Sequence, residues 1–194
     1  KRITKAPKID GVIDDEAWNN AEIAKDFVTL RPTNGVAVPD EFKTEVKVLY
    51  NDEAIYISAM MHDPDPAGIP REFATRDNFS QADFFLVTIN PNDDGQNPFE
   101  FVVQSTGNIA DSKVSNGRED FNWSAVWQAA AKIHEKGWSV EMMIPYSAIR
   151  FANRPIQSWG FNFHRRLEKQ NEQHTWTHID NKAGNWTQYD GLVE

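Results

Sequence analysis

Apolar and polar positions alternate along most of this chain, with the period-two rhythm of strands that bury one face. Phe42, Thr44, Val46, Val48 and Tyr50 interleave with Lys43, Glu45, Lys47 and Asn51. After the turn Asn51-Asp52-Glu53-Ala54, the residues Ile55, Ile57, Ala59 and Met61 form a second inward row, so the pair reads as a hairpin. Asp63-Pro64-Asp65-Pro66 ends it, because proline cannot continue a ladder. The run Asp83 to Asn90 is apolar on both faces and predicts a central strand. The turn-rich segment 91–98 follows, and Phe99, Phe101 and Val103 open a partner strand. Ala125, Trp127, Ala129, Ala131 and Ile133 alternate up to the turn Glu135-Lys136-Gly137, and Trp138, Val140, Met142 and Ile144 return. Trp159, Phe161 and Phe163 mark another strand, and Thr175 to Ile179 a further one.

Helical signal is sparse. Asp14 or Asp15 is placed to cap a short helix over residues 16–21, and Pro145 to Ile149 predicts one turn. The pattern therefore predicts an all-β fold. It is a single antiparallel β-sandwich, immunoglobulin- or jelly-roll-like, with one or two short helices and one domain over residues 1–194.

Composition narrows the function. Forty per cent hydrophobic residues in 194 support one good core. Twenty Lys plus Arg against 29 Asp plus Glu give a net charge of −9, which argues against nucleic acid and against anionic membranes as partners. With no cysteine, disulfides and thiolate metal sites are excluded. No apolar run is long enough for a membrane-spanning helix. The chain opens at Lys1 without an apolar leader, as a removed signal peptide or an excised domain would leave it.

Several segments together resemble the family 9 carbohydrate-binding modules. Lys8-Ile9-Asp10-Gly11-Val12-Ile13-Asp14-Asp15-Glu16-Ala17-Trp18 is similar to that family's first strand and short helix. Val46 to Met61 resembles its hairpin, Asp83 to Asn90 its D-x-[VF]-x-[VI]-x-[IL]-[DN] strand, Gly137 to Pro145 its G-[WY]-x-[VA]-E-x-x-I-P segment, and Trp159 to Phe163 its [IW]-G-F-N-[IF] strand. Asp83-Phe84-Phe85, Trp123 with Trp127, Ile149-Arg150-Phe151 and Asn162 to Arg165 further resemble the N-terminal domain of large bacterial proteins of the DUF5916 type. There, a family 9-like domain precedes a long β-rich region similar to an outer-membrane barrel. The resemblance implies an exported protein of the periplasm or outer membrane of a Gram-negative bacterium. Its partners would be a glycan or oligosaccharide and the C-terminal β-rich membrane region of the same polypeptide.

In the family, two aromatic rings sandwich a terminal sugar, and a carboxylate and an arginine hold its hydroxyls. Trp186 stands where one of those rings would lie; the other falls near Ser80, where this chain offers Phe79. The carboxylate position holds Leu86 and the arginine position Val102. The resemblance thus implies a non-catalytic module that recognises a glycan by aromatic stacking, with Trp186, Phe79, Arg76, Arg165, Asn162 and Trp176 as candidate contacts. Arg165 shares the parity of the apolar row Trp159, Phe161, Phe163 and so requires a partner, either a buried acid or a ligand. Trp18, Trp123, Trp127, Trp138 and Trp159 read as core.

Other chemistries leave weaker traces. A structural calcium would draw on Asp63 and Asp65, or on Asp93, Asp94 and Asn97, though neither set matches an EF-hand loop. His164, His174 and His178 lack the order of a zinc protease. No nucleophile elbow, phosphate loop or dinucleotide fingerprint occurs, so the domain is expected to be non-catalytic, and any link to glycoside hydrolysis would lie elsewhere in a longer protein. Two alternatives stand beside sugar binding. One is an assembly domain that orients a membrane barrel. The other is a haem-binding relative using Met60, Met61, Met142 or Met143, which mostly fall on strand rows and so read better as core.

Overall fold

The alternation closes into two facing antiparallel sheets in a computed structural model, which describes residues 1–92, 96–115, 117–152, 154–182 and 186–193. The strands are β1 (Ile23–Ala24), β2 (Val28–Arg31), β3 (Thr44–Tyr50), β4 (Ala54–His62), β5 (Phe84–Asn90), β6 (Phe99–Gln104), β7 (Ile109–Ser115), β8 (Arg118–Asp120), β9 (Gln128–His134), β10 (Gly137–Pro145), β11 (Trp159–Leu167), β12 (Glu172–Thr175) and β13 (Gly191–Val193). The smaller sheet runs β1-β3-β4-β10-β9; the larger runs β2-β12-β11-β5-β6-β7-β8, with β13 beside β11.

The core fills the space between the sheets. Ile57, Ala59, Met61, Trp138, Val140 and Met142 meet Phe85, Val87, Ile89, Phe101, Val103, Phe161 and Phe163, all buried. β5 lies between β11 and β6, and its two-faced apolar run fits that central place. Turn chemistry sets the first hairpin: Asn51 Oδ1 accepts from the N–H groups of Glu53 and Ala54, both at 2.9 Å.

A second, smaller cluster lies outside the smaller sheet. Trp18 packs there with Leu49, Ala54 and Tyr56. Four details differ from the sequence pattern. The short helices are single 3-10 turns, and the first spans only Glu16–Trp18. Asp15 makes no side-chain cap to that turn; its carboxylate instead accepts from Lys8 N at 2.9 Å. The strand expected over 175–179 sits earlier, at Glu172–Thr175, because β12 follows β11 after the tight turn Glu168–Gln170. Phe42 likewise belongs to the turn Asp40–Phe42, and β3 begins at Thr44.

Candidate functional site

Side chains alternate across the larger sheet, so one face feeds the core and the other faces outward. Phe84, Leu86 and Thr88 of β5, Glu100 and Val102 of β6 and His164 of β11 take the outward face. They floor a groove of about 180 Å³. That is below the roughly 300–1,000 Å³ of drug-sized sites, and suits one small ring better than a buried chain.

Aromatic side chains wall this groove. Phe79 stands edge-on to Phe84 at 5.7 Å and to Phe121 at 5.9 Å. Phe79 is 48% exposed, high for so large an apolar ring. Trp186 also lines the groove, near Leu30 and Ile179. The Arg31 guanidinium lies over the Trp186 ring, 5.5 Å from its centroid, and fixes one face by cation–π attraction.

The polar groups of the floor are shaped by burial. Glu100 accepts from Ser112 Oγ at 2.6 Å. Desolvation nevertheless pushes its carboxyl up to about 7, against the Ser112 bond and with some help from the Glu119 charge. Burial pulls the His164 imidazole down to about 4, so it is uncharged at neutral pH.

The structure places Trp186 and Phe79 on the groove; Arg165 also borders it, but its guanidinium, like the side chains of the other three candidates, is engaged elsewhere. Arg76 bonds the buried Asp111 carboxylate and donates to Ala125 O at 2.8 Å. Asp111 pairs with Phe101 across β6 and β7, and also accepts from the Trp127 indole at 2.7 Å, so this network belongs to the core side. Arg165 is fully buried; its guanidinium donates to Phe42 O at 2.6 Å and His62 O at 2.8 Å, tying the large sheet to the small one. Burial lowers it to about 10, partly offset by Asp83 and Asp63, and it stays charged at neutral pH. Asn162 faces outward but is closed over, its Oδ1 accepting from Thr175 Oγ1 and Thr177 N. Trp176 packs on Phe163 at 5.3 Å.

Sequence reasoning missed Glu100, Phe84 and Phe121. The one available signal was parity: Glu100 lies between inward Phe99 and Phe101, on the same face as Val102.

The metal and haem readings meet a different arrangement. Asp63 accepts from Lys169 Nζ at 2.8 Å, so an ammonium stands where a cation would sit, and Asp65 accepts from Gly68 N. Asp93 and Asp94 lie outside the described residues. His164 and His174 point to opposite faces of the sheet, and His178 is exposed. Among the described residues no group of three His, Asp or Glu side chains could hold a metal. Met61 and Met142 are buried between the sheets, and Met143 packs beside the Trp18 cluster.

Comparison with known proteins places this geometry. A search of curated proteins finds no match. Among solved structures, a family 9 carbohydrate-binding module from Caldicellulosiruptor kristjanssonii in complex with cellotriose aligns with a TM-score of 0.69 at 18% identity, over 100% of this chain and 93% of that one. The glucose complex of a family 9 module from the same organism gives 0.67 at 18% identity, over 100% and 95%. These likenesses establish the shared fold. The family model described as "Carbohydrate family 9 binding domain-like" matches residues 9–190. With nearly the whole chain matched, it belongs to the carbohydrate family 9 binding domain-like family.

Proposed function

We propose that the chain is a non-catalytic carbohydrate-binding module that holds a glycan in the groove of its larger sheet. A sugar ring would stack on Trp186 and rest against the Phe79–Phe84–Phe121 wall. The observation that carries this reading is the placement of Trp186 and that phenylalanine cluster on one groove. A pyranose presents C–H groups on its faces and hydroxyls around its rim. Aromatic walls suit the first, and a few polar groups on the floor suit the second. Arg31 covers one face of Trp186, so the sugar takes the other. The acids Glu100 and Glu119 on the lining favour a neutral ligand over an anionic one.

Family membership supports the ligand class, and glucose and cellotriose, held by the Caldicellulosiruptor modules, are the first ligands to test. A purely architectural domain has no need of an open groove between aromatic rings, so the groove favours the binding reading. Calorimetric titration with both sugars is the test. Trp186→Ala is expected to weaken binding at least tenfold. Unchanged affinity in that variant would exclude stacking on Trp186.

A further inference from the structure

Strand register tiles the groove floor in rows. Across β7, β6, β5 and β11, Ala110, Val102, Leu86 and His164 stand side by side. Two residues along, about 6.6 Å away, the next row reads Ser112, Glu100, Thr88 and Asn162. The first row is apolar over three strands; the second is polar over all four. Leu86 is the partly exposed apolar member, with Val102 buried beside it. On β5, Phe84 extends the same apolar surface to the Phe79 and Phe121 wall. In the polar row, Glu100 is the partly exposed member, steadied by Ser112.

This division sorts sugars by their substituents. A hydroxyl set on Leu86 would give up water for hydrocarbon and find no partner in its own row short of His164. A methyl group there would lose nothing and bury apolar surface. Building on the sugar-binding reading above, we propose that the groove selects a sugar bearing a methyl group, seated on Leu86 with its hydroxyl edge toward Glu100 and Thr88. Two sources supply that chemistry: the C6 methyl of a 6-deoxyhexose, and the acetyl methyl of an N-acetylhexosamine.

The test titrates the protein with sugars paired around that group, L-fucose against L-galactose and N-acetylglucosamine against glucose. In one pair the methyl-bearing sugar is expected to bind at least tenfold tighter, and the pair that shows it identifies the source. Leu86→Gln, on an outward face and checked for unchanged thermal unfolding, is expected to shrink that preference to within about threefold. Equal or tighter binding of both galactose and glucose by the native protein would overturn methyl selection and leave sugar binding standing. If none of the four binds, methyl selection also fails, and cellotriose titration then decides whether the groove binds sugar at all.

Discussion

Trp18 Nε1 donates to Glu141 Oε1 at 2.9 Å, and this bond joins two sequence motifs that lie 123 residues apart. The other carboxylate oxygen accepts from the backbone N–H groups of Asp10 and Gly11, each at 3.0 Å. Ser139 completes the attachment by donating to Gly11 O at 2.6 Å. Gly11 has φ +83°, and a Cβ there would lie 3.0 Å from the Ala131 carbonyl carbon, so only glycine lets the segment approach β9 this closely. The opening motif is therefore a strap over the smaller sheet, on the side of the molecule away from the groove.

Glu141→Ala should strand three donors, of which Gly11 N and Trp18 Nε1 are buried and Asp10 N is half-buried. At about 1 kcal/mol or more for each unsatisfied group, the expected loss is roughly 3 kcal/mol or greater. Glu141→Gln keeps a carbonyl acceptor and should lose about half as much. Urea unfolding followed by tryptophan fluorescence measures both. Saccharide affinity of the folded fraction should not change in either variant, because the strap and the groove occupy outer faces of different sheets.

The ring contacts of the groove predict a graded series. Arg31→Ala removes the cation that fixes Trp186 and is expected to weaken saccharide binding by only about twofold to fivefold, in line with roughly 0.5–1 kcal/mol for an exposed cation–π contact. Phe79→Ala removes the central ring of the phenylalanine cluster and should cost more, about fivefold to tenfold. Calorimetry on the two variants sets the order. A larger effect from Arg31 than from Phe79 would place the ligand away from the phenylalanine wall.

Much of this architecture was legible in the chain because period-two alternation survives wherever one face is dry. β3, β4, β10 and the start of β11 read directly. β7 did not, since its buried row contains Asp111 and its outward row the equally buried Ser112, and polar residues on both faces erase the rhythm. The groove was half legible. Parity gives the face of a residue, and the resemblance gave Trp186 and Phe79. Neither gives the partner of a charge. Arg165 and Arg76 found theirs in distant carbonyls and in Asp111, contacts created only when the sheets close.

Arg165 makes a separate stability prediction. Arg165→Met would remove both carbonyl bonds across the sheets and take away one of the cations near Asp83 and Asp63, while Lys169 stays on Asp63. Two carbonyls lose their charged donor, and at about 1–3 kcal/mol for each unsatisfied buried group the expected loss is roughly 2–6 kcal/mol. Arg165→Lys keeps the charge but cannot reach two carbonyls with a planar fork, and should fall between. Thermal unfolding of the two variants tests the ranking Met below Lys below native. A methionine variant as stable as the native protein would show that the cross-sheet tie contributes nothing net.

The two titrating groups of the groove floor should shape stability against pH in opposite senses. Folded Glu100 holds its proton to about pH 7, while the unfolded chain releases it near 4.5. The folded state therefore binds more protons between those values, and stability from this group falls as pH rises through that window. The ceiling is about 3 kcal/mol at 1.36 kcal/mol per pH unit, and water in the groove will reduce it. Folded His164 releases its proton near 4, and the unfolded chain near 6.5. There the unfolded state binds more protons, so stability falls as pH drops from 6.5 toward 4. Between about 4.5 and 6.5 the two slopes oppose and largely cancel. Glu100→Gln removes one of them. The variant should be more stable than the native protein at pH 8, by up to about 2–3 kcal/mol, and the gap should close by pH 4.5. Its own stability should then climb with pH between about 4.5 and 6.5 more steeply than that of the native protein. Urea unfolding at half-unit pH steps resolves both curves, and a gap that does not depend on pH would show that Glu100 is already ionised at the bottom of the groove.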